Sequence, residues 1–161
     1  MEQRKPMSES AALSRLTGRC ALAEYCVADV RRMMSRWQLP EGAEGRIISR
    51  LLGERYIDEE RYARAFVRDK FRYNHWGLVR IEQELRHRGI DHDIIASALT
   101  EIDTDTSIDA LRHILQTKRR QVTGRSESDI RAKLIRFALS RGFSYSQINA
   151  VMGEDCDTDN T

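Results

Sequence analysis

Apolar residues recur along most of the chain at the three- and four-residue spacing that is typical of amphipathic helices. The clearest case is the stretch 58–73. Asp58 is a good N-cap there, and Glu59 and Glu60 follow in the turn where the helix dipole favours acids. The stretch therefore predicts a helix that packs one side against a core and shows solvent a basic stripe, because its arginines fall within roughly 80° of one face. The basic stripe consists of Arg61, Arg64, Arg68 and Arg72. The apolar side consists of Tyr62, Ala63, Phe66, Val67 and Phe71.

Start and stop signals divide the chain after this helix. A second helix, from about residue 77 to 88, ends at Gly89, a residue suited to a left-handed terminating conformation, and Asp91 caps a short third helix. A long helix is predicted from Thr104 to about Gln121. The last two helices begin at the capping pairs Ser126 with Asp129 and Ser144 with Gln147, and the first of them ends at Gly142.

The N-terminal third carries fewer signals. The stretch 11–37 has no glycine after Gly18 and no proline, and it predicts one continuous helix. Pro40, Gly42 and Gly45 predict a loop, and 46–52 predicts a short helix with an apolar side.

The sequences at two of the predicted helix ends match each other, which indicates an internal repeat. Residues 88–91 (RGID) and 141–144 (RGFS) both give a cation, a glycine, an apolar residue and an N-cap, at an offset of 53. At an offset of 51, the apolar positions of 27–39 fall on those of 78–90. The chain is therefore predicted to be all-α, an elongated and curved array of three tandem three-helix repeats resembling helix-turn-helix units. The predicted divisions are a disordered tail 1–10, repeats 11–53, 54–101 and 102–152, and an acidic tail 153–161.

Charge is segregated along the chain. The net charge is only +2, but residues 61–88 contain eight Lys/Arg against three acids, and residues 118–141 contain eight against two. Such zones suggest a polyanionic or acidic partner. The candidate contact residues are Arg61, Arg64, Arg68, Lys70, Arg72, Arg80, Arg86, Lys118, Arg119 and Arg120.

Catalytic and metal-binding patterns are missing. The four histidines and three cysteines lack metal-ligand spacing, and there is no glycine-rich phosphate loop. We therefore expect neither an enzyme nor a cofactor. The three scattered cysteines favour reduced thiols in a cytoplasmic protein. No apolar run approaches the ~20 residues that cross a bilayer, so no membrane association is expected.

The basic stripe and Trp76 each have two interpretations. The stripe is either a solvated face or a contact surface; its like charges four residues apart cost a few tenths of a kcal/mol each in an isolated helix, which favours contact. Trp76 is either an aromatic side chain packed between two helices or a residue that stacks on a partner, and packing is the favoured interpretation.

The run YIDEERYARAFVR at 56–68, followed by Trp76-Gly77, Ile81, Glu84-Leu85 and the stop at 88–90, resembles the signature of the RecX family of regulators. The resemblance is specific within 56–99 and weaker outside it, and Tyr62 stands where the family often has phenylalanine. The positions that it assigns to holding the repeat together are Tyr56, Tyr62, Ala63, Phe66, Trp76, Gly77, Ile81, Leu85 and Gly89, with Asp58 as helix cap and Gly142 at the matching stop. From periodicity, the charged positions Asp58, Glu59, Arg61, Arg64 and Arg68 are candidates for surface contact.

The resemblance implies an array of three-helix repeats that binds the RecA recombinase filament on single-stranded DNA, and we expect the protein to be a monomer. It implies inhibition of filament growth, ATP hydrolysis and strand exchange, with no enzymatic activity. Two alternatives remain open: a helix-turn-helix-like protein that binds nucleic acid by itself, and a protein scaffold with no nucleic-acid role.

Overall fold

The computed structural model describes residues 5–157, with side chains through residue 153. This part of the chain forms nine α-helices and no strand, which confirms the all-α prediction for these residues. The helices are α1 Glu9–Cys20, α2 Val27–Met34, α3 Ala43–Gly53, α4 Glu59–Arg72, α5 Leu78–His87, α6 His92–Leu99, α7 Thr104–Arg119, α8 Glu127–Arg141 and α9 Tyr145–Asp157.

The helices form three groups of three, which we call unit 1 (α1–α3), unit 2 (α4–α6) and unit 3 (α7–α9). Substantial helix–helix packing falls within these groups, and each has its own hydrophobic cluster. Leu16 and Leu51 lie in the cluster of unit 1, Ile81 in that of unit 2, and Leu111 and Ile148 in that of unit 3, all fully buried. Each apolar helix face is thus buried against its own unit, as expected of a repeat architecture.

Most predicted helix ends are present. The Asp58 carboxylate accepts a hydrogen bond from the Arg61 backbone N–H at 3.0 Å, and Ser126 accepts one from the N–H of Asp129 at 3.1 Å. Gly89 and Gly142 take the left-handed conformation, with φ of 76° and 96°. These signals depend on neighbouring residues alone, so sequence was sufficient to find them.

The third copy of the left-handed stop is a glutamine. Gln38 has φ 49°, and it lies 51 residues before Gly89, the offset that aligned the apolar positions. The three units therefore share one backbone geometry at this point, although unit 1 lacks the glycine that signals it.

The continuous helix predicted over 11–37 is wrong. It breaks into α1 and α2, with residues 21–26 between them. The Cys26 backbone N–H donates to the Asp29 carboxylate at 3.1 Å, so Asp29 caps the start of α2 in the manner that Glu or Gln does in a capping box. The break was missed because it contains neither glycine nor proline.

Smaller differences concern helix boundaries. Gly45 lies inside α3 and not in a loop, and α1 begins at Glu9, within the predicted N-terminal tail. Helix α9 extends to Asp157, into the predicted C-terminal tail. Residues 5–8 of the predicted N-terminal tail are not helical, and residues 1–4 and 158–161 lie outside the described residues. The Gln147 amide donates to the buried hydroxyl of Ser107 at 3.1 Å, so it ties α9 to α7.

Candidate interaction surface

The arginine stripe of α4 is partly neutralised within the chain. Arg64 and Arg68 both lie near the carboxylate of Glu101, at 4.0 and 3.6 Å. Glu101 follows α6 by two residues and is distant in sequence, so the pattern of α4 alone could not show it. Arg72 is exposed and has no carboxylate at ion-pairing distance among the described residues.

Arg61 faces unit 1 and belongs to the junction between units 1 and 2. Its guanidinium pairs with the carboxylate of Glu24 at 2.5 Å. At the same junction Arg88 lies 3.5 Å from Asp29, and the Val27 backbone N–H donates to Glu59 at 3.1 Å. Two of the motif's charged residues, Arg61 and Glu59, therefore hold neighbouring units together.

Aromatic rings accompany the cations at the start of α5. The Arg80 guanidinium lies 4.0 Å from the ring centroid of Trp76, and the Lys70 ammonium lies 4.9 Å from the same centroid. Trp76 is half-buried and meets Phe66 edge to face at 6.3 Å. The ring of Trp76 therefore packs against the hydrophobic cluster of unit 2, with two cations beside it, and its role in the family motif stays a prediction.

The remaining candidates differ in their surroundings. Arg86 pairs with Glu82 at 2.7 Å along α5, and Arg119 lies 3.6 Å from Glu127. Lys118 lies 4.9 Å from the ring of Phe137. The tenth candidate, Arg120, is exposed at the C-cap of α7. Surface ion pairs of this kind contribute little to stability, so they do not prevent these residues from contacting a partner.

Backbone groups join unit 2 to unit 3. The Gly77 N–H donates to the carbonyl of Arg141 at 2.7 Å, and the Val79 N–H donates to that of Gly142 at 3.0 Å. The start of α5 is thus capped by the end of α8, which brings opposite ends of two helix dipoles together. A Cβ on Gly77 would lie 2.3 Å from the Gly142 oxygen, and one on Gly142 would lie 2.2 Å from the Cβ of Arg80. Both glycines are therefore required for this close approach.

A cleft of about 190 Å³, which we call the junction cleft, opens beside these backbone contacts. Of the side chains that line it, only Lys118 was among the sequence candidates. The guanidinium of Arg141 lies 5.2 Å from the centroid of the Phe137 ring. Its cations come from the ends of α7 and α8, so only the tertiary structure shows them together. The cleft is lined by His75, His113, Ile114, Thr117, Lys118, Gln121, Phe137 and Arg141.

Most apolar motif positions are buried, whereas Trp76 is half-buried and Tyr56 is 37% exposed. The structural role that the resemblance gives these positions stays a prediction. Burial raises the pKa of the Tyr62 hydroxyl, which accepts a hydrogen bond from Arg88 at 2.8 Å. The buried members are Tyr62, Ala63, Phe66, Ile81 and Leu85.

The described residues contain no group of three or more His, Cys, Asp or Glu side chains placed to hold a metal ion. Among them, no helix combines the length and apolar character needed to span a membrane. Cys26 is buried, and burial raises the pKa of its thiol, which keeps it protonated at neutral pH. Cys156 lies outside the described side chains.

Family profiles match most of the last two units. The profile "RecX, second three-helix domain" matches residues 58–99, and "RecX, third three-helix domain" matches residues 105–152. The predicted repeat boundaries remain a prediction, although these ranges fall inside repeats 2 and 3.

Curated relatives of the chain are named "Regulatory protein RecX". The one from Lactobacillus johnsonii is 23% identical over 158 residues, covering 98% of this chain and 58% of the relative. The relative from Clostridium botulinum is 32% identical over 102 residues, which cover 62% of this chain and 47% of the relative. The relative from Mycolicibacterium smegmatis is 25% identical over 123 residues, which cover 74% of this chain and 65% of the relative. The chain thus spans about half the length of the curated relatives it matches.

Solved structures share the fold. A crystal structure of regulatory protein RecX superposes with a TM-score of 0.83 at 23% identity, covering 90% of this chain and 73% of that one. The crystal structure of RecX from Lactobacillus salivarius superposes with a TM-score of 0.79 at 20% identity, covering 91% of this chain and 95% of that one. With the signature at 56–90, the two matched domains and the shared all-α fold, this chain belongs to the RecX family of regulatory proteins.

Proposed function

We propose that this protein binds the RecA recombinase filament on single-stranded DNA and inhibits its growth, ATPase and strand exchange. The observation that carries the proposal is the pair of consecutive RecX three-helix domains across residues 58–152. The relatives carry the name of a regulatory protein and not of an enzyme. Cytoplasmic location and a monomeric state complete the proposal.

The arrangement of the units supports such a role physically. Three units, each with exposed cations, can make several weak contacts along a filament at high effective concentration. A ligand that prefers one state of the filament shifts the population towards that state. Bridging neighbouring recombinase subunits would restrict the rearrangements that growth and ATP turnover require.

The test is the ATPase of the recombinase from the same organism, measured on single-stranded DNA with increasing amounts of this protein. We expect inhibition at amounts well below one regulator per recombinase, because each bound molecule affects a continuous filament. No inhibition, or inhibition that needs a stoichiometric excess, would contradict the proposal.

A matched pair of variants locates the contact. Replacing Arg64, Arg68 and Arg72 with glutamine removes three charges from α4 without placing acids beside Glu101, and should weaken inhibition. The control removes three arginines of unit 1 that have carboxylate partners, and it should leave inhibition nearly unchanged. These control residues are Arg31, Arg46 and Arg50, which pair with Glu44, Glu9 and Glu54.

The second candidate function is binding of nucleic acid without a recombinase. It is favoured by Lys70, Arg80 and Lys118, which lie beside aromatic rings and have no carboxylate at ion-pairing distance among the side chains of residues 5–153. Affinity of such a binder should fall by roughly 0.7 logarithmic units per unit of log salt for each phosphate contacted on a single strand. A filament regulator should still act on recombinase-coated DNA at salt concentrations that release naked DNA.

A further inference from the structure

The junction cleft differs from the cleft between units 1 and 2 in its charge. The latter is lined by Glu24 and Asp29 together with its arginines. The residues that line the junction cleft include a lysine, an arginine and two histidines, and no carboxylate. Its positive charge is therefore not neutralised by its own walls.

Lys118 and Arg141 are the two permanent cations of the junction cleft. Both lie beside the half-buried ring of Phe137, and the guanidinium of Arg141 also donates to the Asn74 carbonyl at 3.5 Å. Among the described residues, neither has a carboxylate at ion-pairing distance. A ring face orients a cation without cancelling its charge, so both side chains remain available to an anion.

The size of the junction cleft limits its ligand. At about 190 Å³ it lies below the roughly 300–1,000 Å³ of sites that enclose a whole small molecule. It suits one anionic group of a polymer that continues across the surface. A continuation is present on unit 2, where Lys70 and Arg80 lie beside Trp76, and Arg80 reaches the Ser140 carbonyl at 3.4 Å.

We propose that the junction cleft binds the phosphodiester backbone of single-stranded nucleic acid, with Lys118 and Arg141 at one phosphate and Lys70 and Arg80 along the strand beyond it. Cations interleaved with partly exposed rings match a polymer in which phosphates alternate with flat bases. An acidic peptide would use the charges and leave the rings without a role. This inference deepens the proposed function, because it assigns the strand to the junction between units 2 and 3.

The test compares Lys118→Gln with Arg50→Gln, which removes the same charge from an exposed position of unit 1 outside the junction cleft. Binding of a short fluorescein-labelled oligothymidylate is followed by anisotropy as salt is raised. Lys118→Gln should weaken binding about tenfold or more at low salt, as loss of one charge-assisted hydrogen bond implies. It should also flatten the log–log salt dependence by about 0.7, the share of one phosphate.

Arg50→Gln should leave affinity and salt dependence unchanged, and both variants should keep the wild-type unfolding midpoint, because a surface ion pair contributes little to stability. Equal losses in the two variants, or no binding of oligothymidylate by the wild type, would overturn the assignment. So would Lys118-dependent binding of labelled polyglutamate in place of oligothymidylate, because it would assign the junction cleft to an acidic protein segment.

Recombinase ATPase, measured on the same samples, separates the two proposals. Inhibition by the wild type, with oligothymidylate binding that is indifferent to Lys118→Gln, overturns the junction cleft as the strand site and leaves the proposed function standing. Lys118-dependent binding without inhibition supports the junction cleft and overturns the proposed function.

Discussion

Gln38 holds a left-handed backbone conformation at the position where units 2 and 3 have glycine. For an L-residue with a Cβ this conformation costs roughly 1–2 kcal/mol, whereas glycine adopts it freely but loses more chain entropy on folding, about 0.5–1 kcal/mol. The first effect is the larger. Gln38→Gly should therefore raise the free energy of unfolding by about 0.5–1 kcal/mol, measured by urea denaturation.

The control at this position is Gln38→Ala, which keeps the Cβ and hence the strain. This variant should not raise the free energy of unfolding. A gain as large as that of glycine would show that the glutamine side chain, and not the backbone conformation, is the source of the cost.

Single residues with local signals were predictable from the sequence, and Gln38 shows where such signals fail. Glycine is the residue that most readily adopts a left-handed conformation, so Gly89 and Gly142 could be predicted as helix ends, and Asp58 could be predicted as a helix N-cap. Glutamine has no such preference, and the left-handed conformation of Gln38 is imposed by the packing of unit 1. The alignment of Gln38 with Gly89 was the one available hint.

At the scale of elements, the start of α4 depends on the ionised carboxylate of Asp58. The hydrogen bond from the Arg61 backbone N–H lowers the pKa of Asp58, so the folded state favours the charged form. Its stabilisation is present at neutral pH and is lost as pH falls below the ~3.9 of an unfolded aspartate towards the lower folded pKa. Asp58→Ala should cost about 1 kcal/mol at pH 7, with the difference from the wild type shrinking below about pH 4.

Asp58→Asn provides the comparison for this helix start. Asparagine caps about as well as aspartate but does not titrate, so this variant should keep most of the stability at pH 7. Chemical denaturation across pH 2.5–7 measures all three proteins. A gap between the wild type and Asp58→Ala that stays constant down to the lowest pH would rule out the ionised cap as its cause.

Helices with clear capping and termination signals, such as α4 and α5, were predicted to within about two residues. The division between α1 and α2 was not predicted, because Asp29 caps α2 by accepting a hydrogen bond from the backbone of Cys26, and cysteine is not a usual N-cap residue. The α2 start is also fixed by Glu59 of unit 2, through the Val27 N–H. An element whose boundary depends on another unit cannot be located from its own sequence.

For the whole molecule, the backbone junction between units 2 and 3 predicts a sharp effect of one methyl group. Gly77→Ala places a Cβ 2.3 Å from the Gly142 carbonyl oxygen, so the units must separate and the hydrogen bonds of Gly77 and Val79 are lost. We expect a loss of about 2–3 kcal/mol, from two such bonds at roughly 0.5–1.5 kcal/mol each together with a poorer N-cap. Urea denaturation and amide hydrogen exchange at Val79 measure it.

Gly89→Ala is the control for this junction. A Cβ on Gly89 meets nothing within 4 Å, so its cost is the left-handed strain of roughly 1–2 kcal/mol and Val79 exchange should not change. If Gly89→Ala accelerated exchange at Val79 as much as Gly77→Ala does, the effect would reflect global destabilisation and not the junction.

The contacts between units were the least predictable feature of the structure from the sequence. The basic zones were visible in the sequence, but which cations are paired was not, because Glu101 reaches Arg64 and Arg68 only through the turn after α6. The junction cleft likewise brings together Lys118 and Arg141 from the ends of two helices. Such sets depend on distances between elements, which periodicity does not contain.

The two junctions also differ in mechanical compliance. Apart from the packing of Cys26 and Ala28 against the cluster of unit 2, unit 1 is held to unit 2 by long side chains with several rotatable bonds, such as Arg61 with Glu24 and Arg88 with Asp29. Units 2 and 3 are held by peptide groups, which have no such freedom. Under tension or bending, we expect the molecule to flex between units 1 and 2 while units 2 and 3 turn together as one rigid lever.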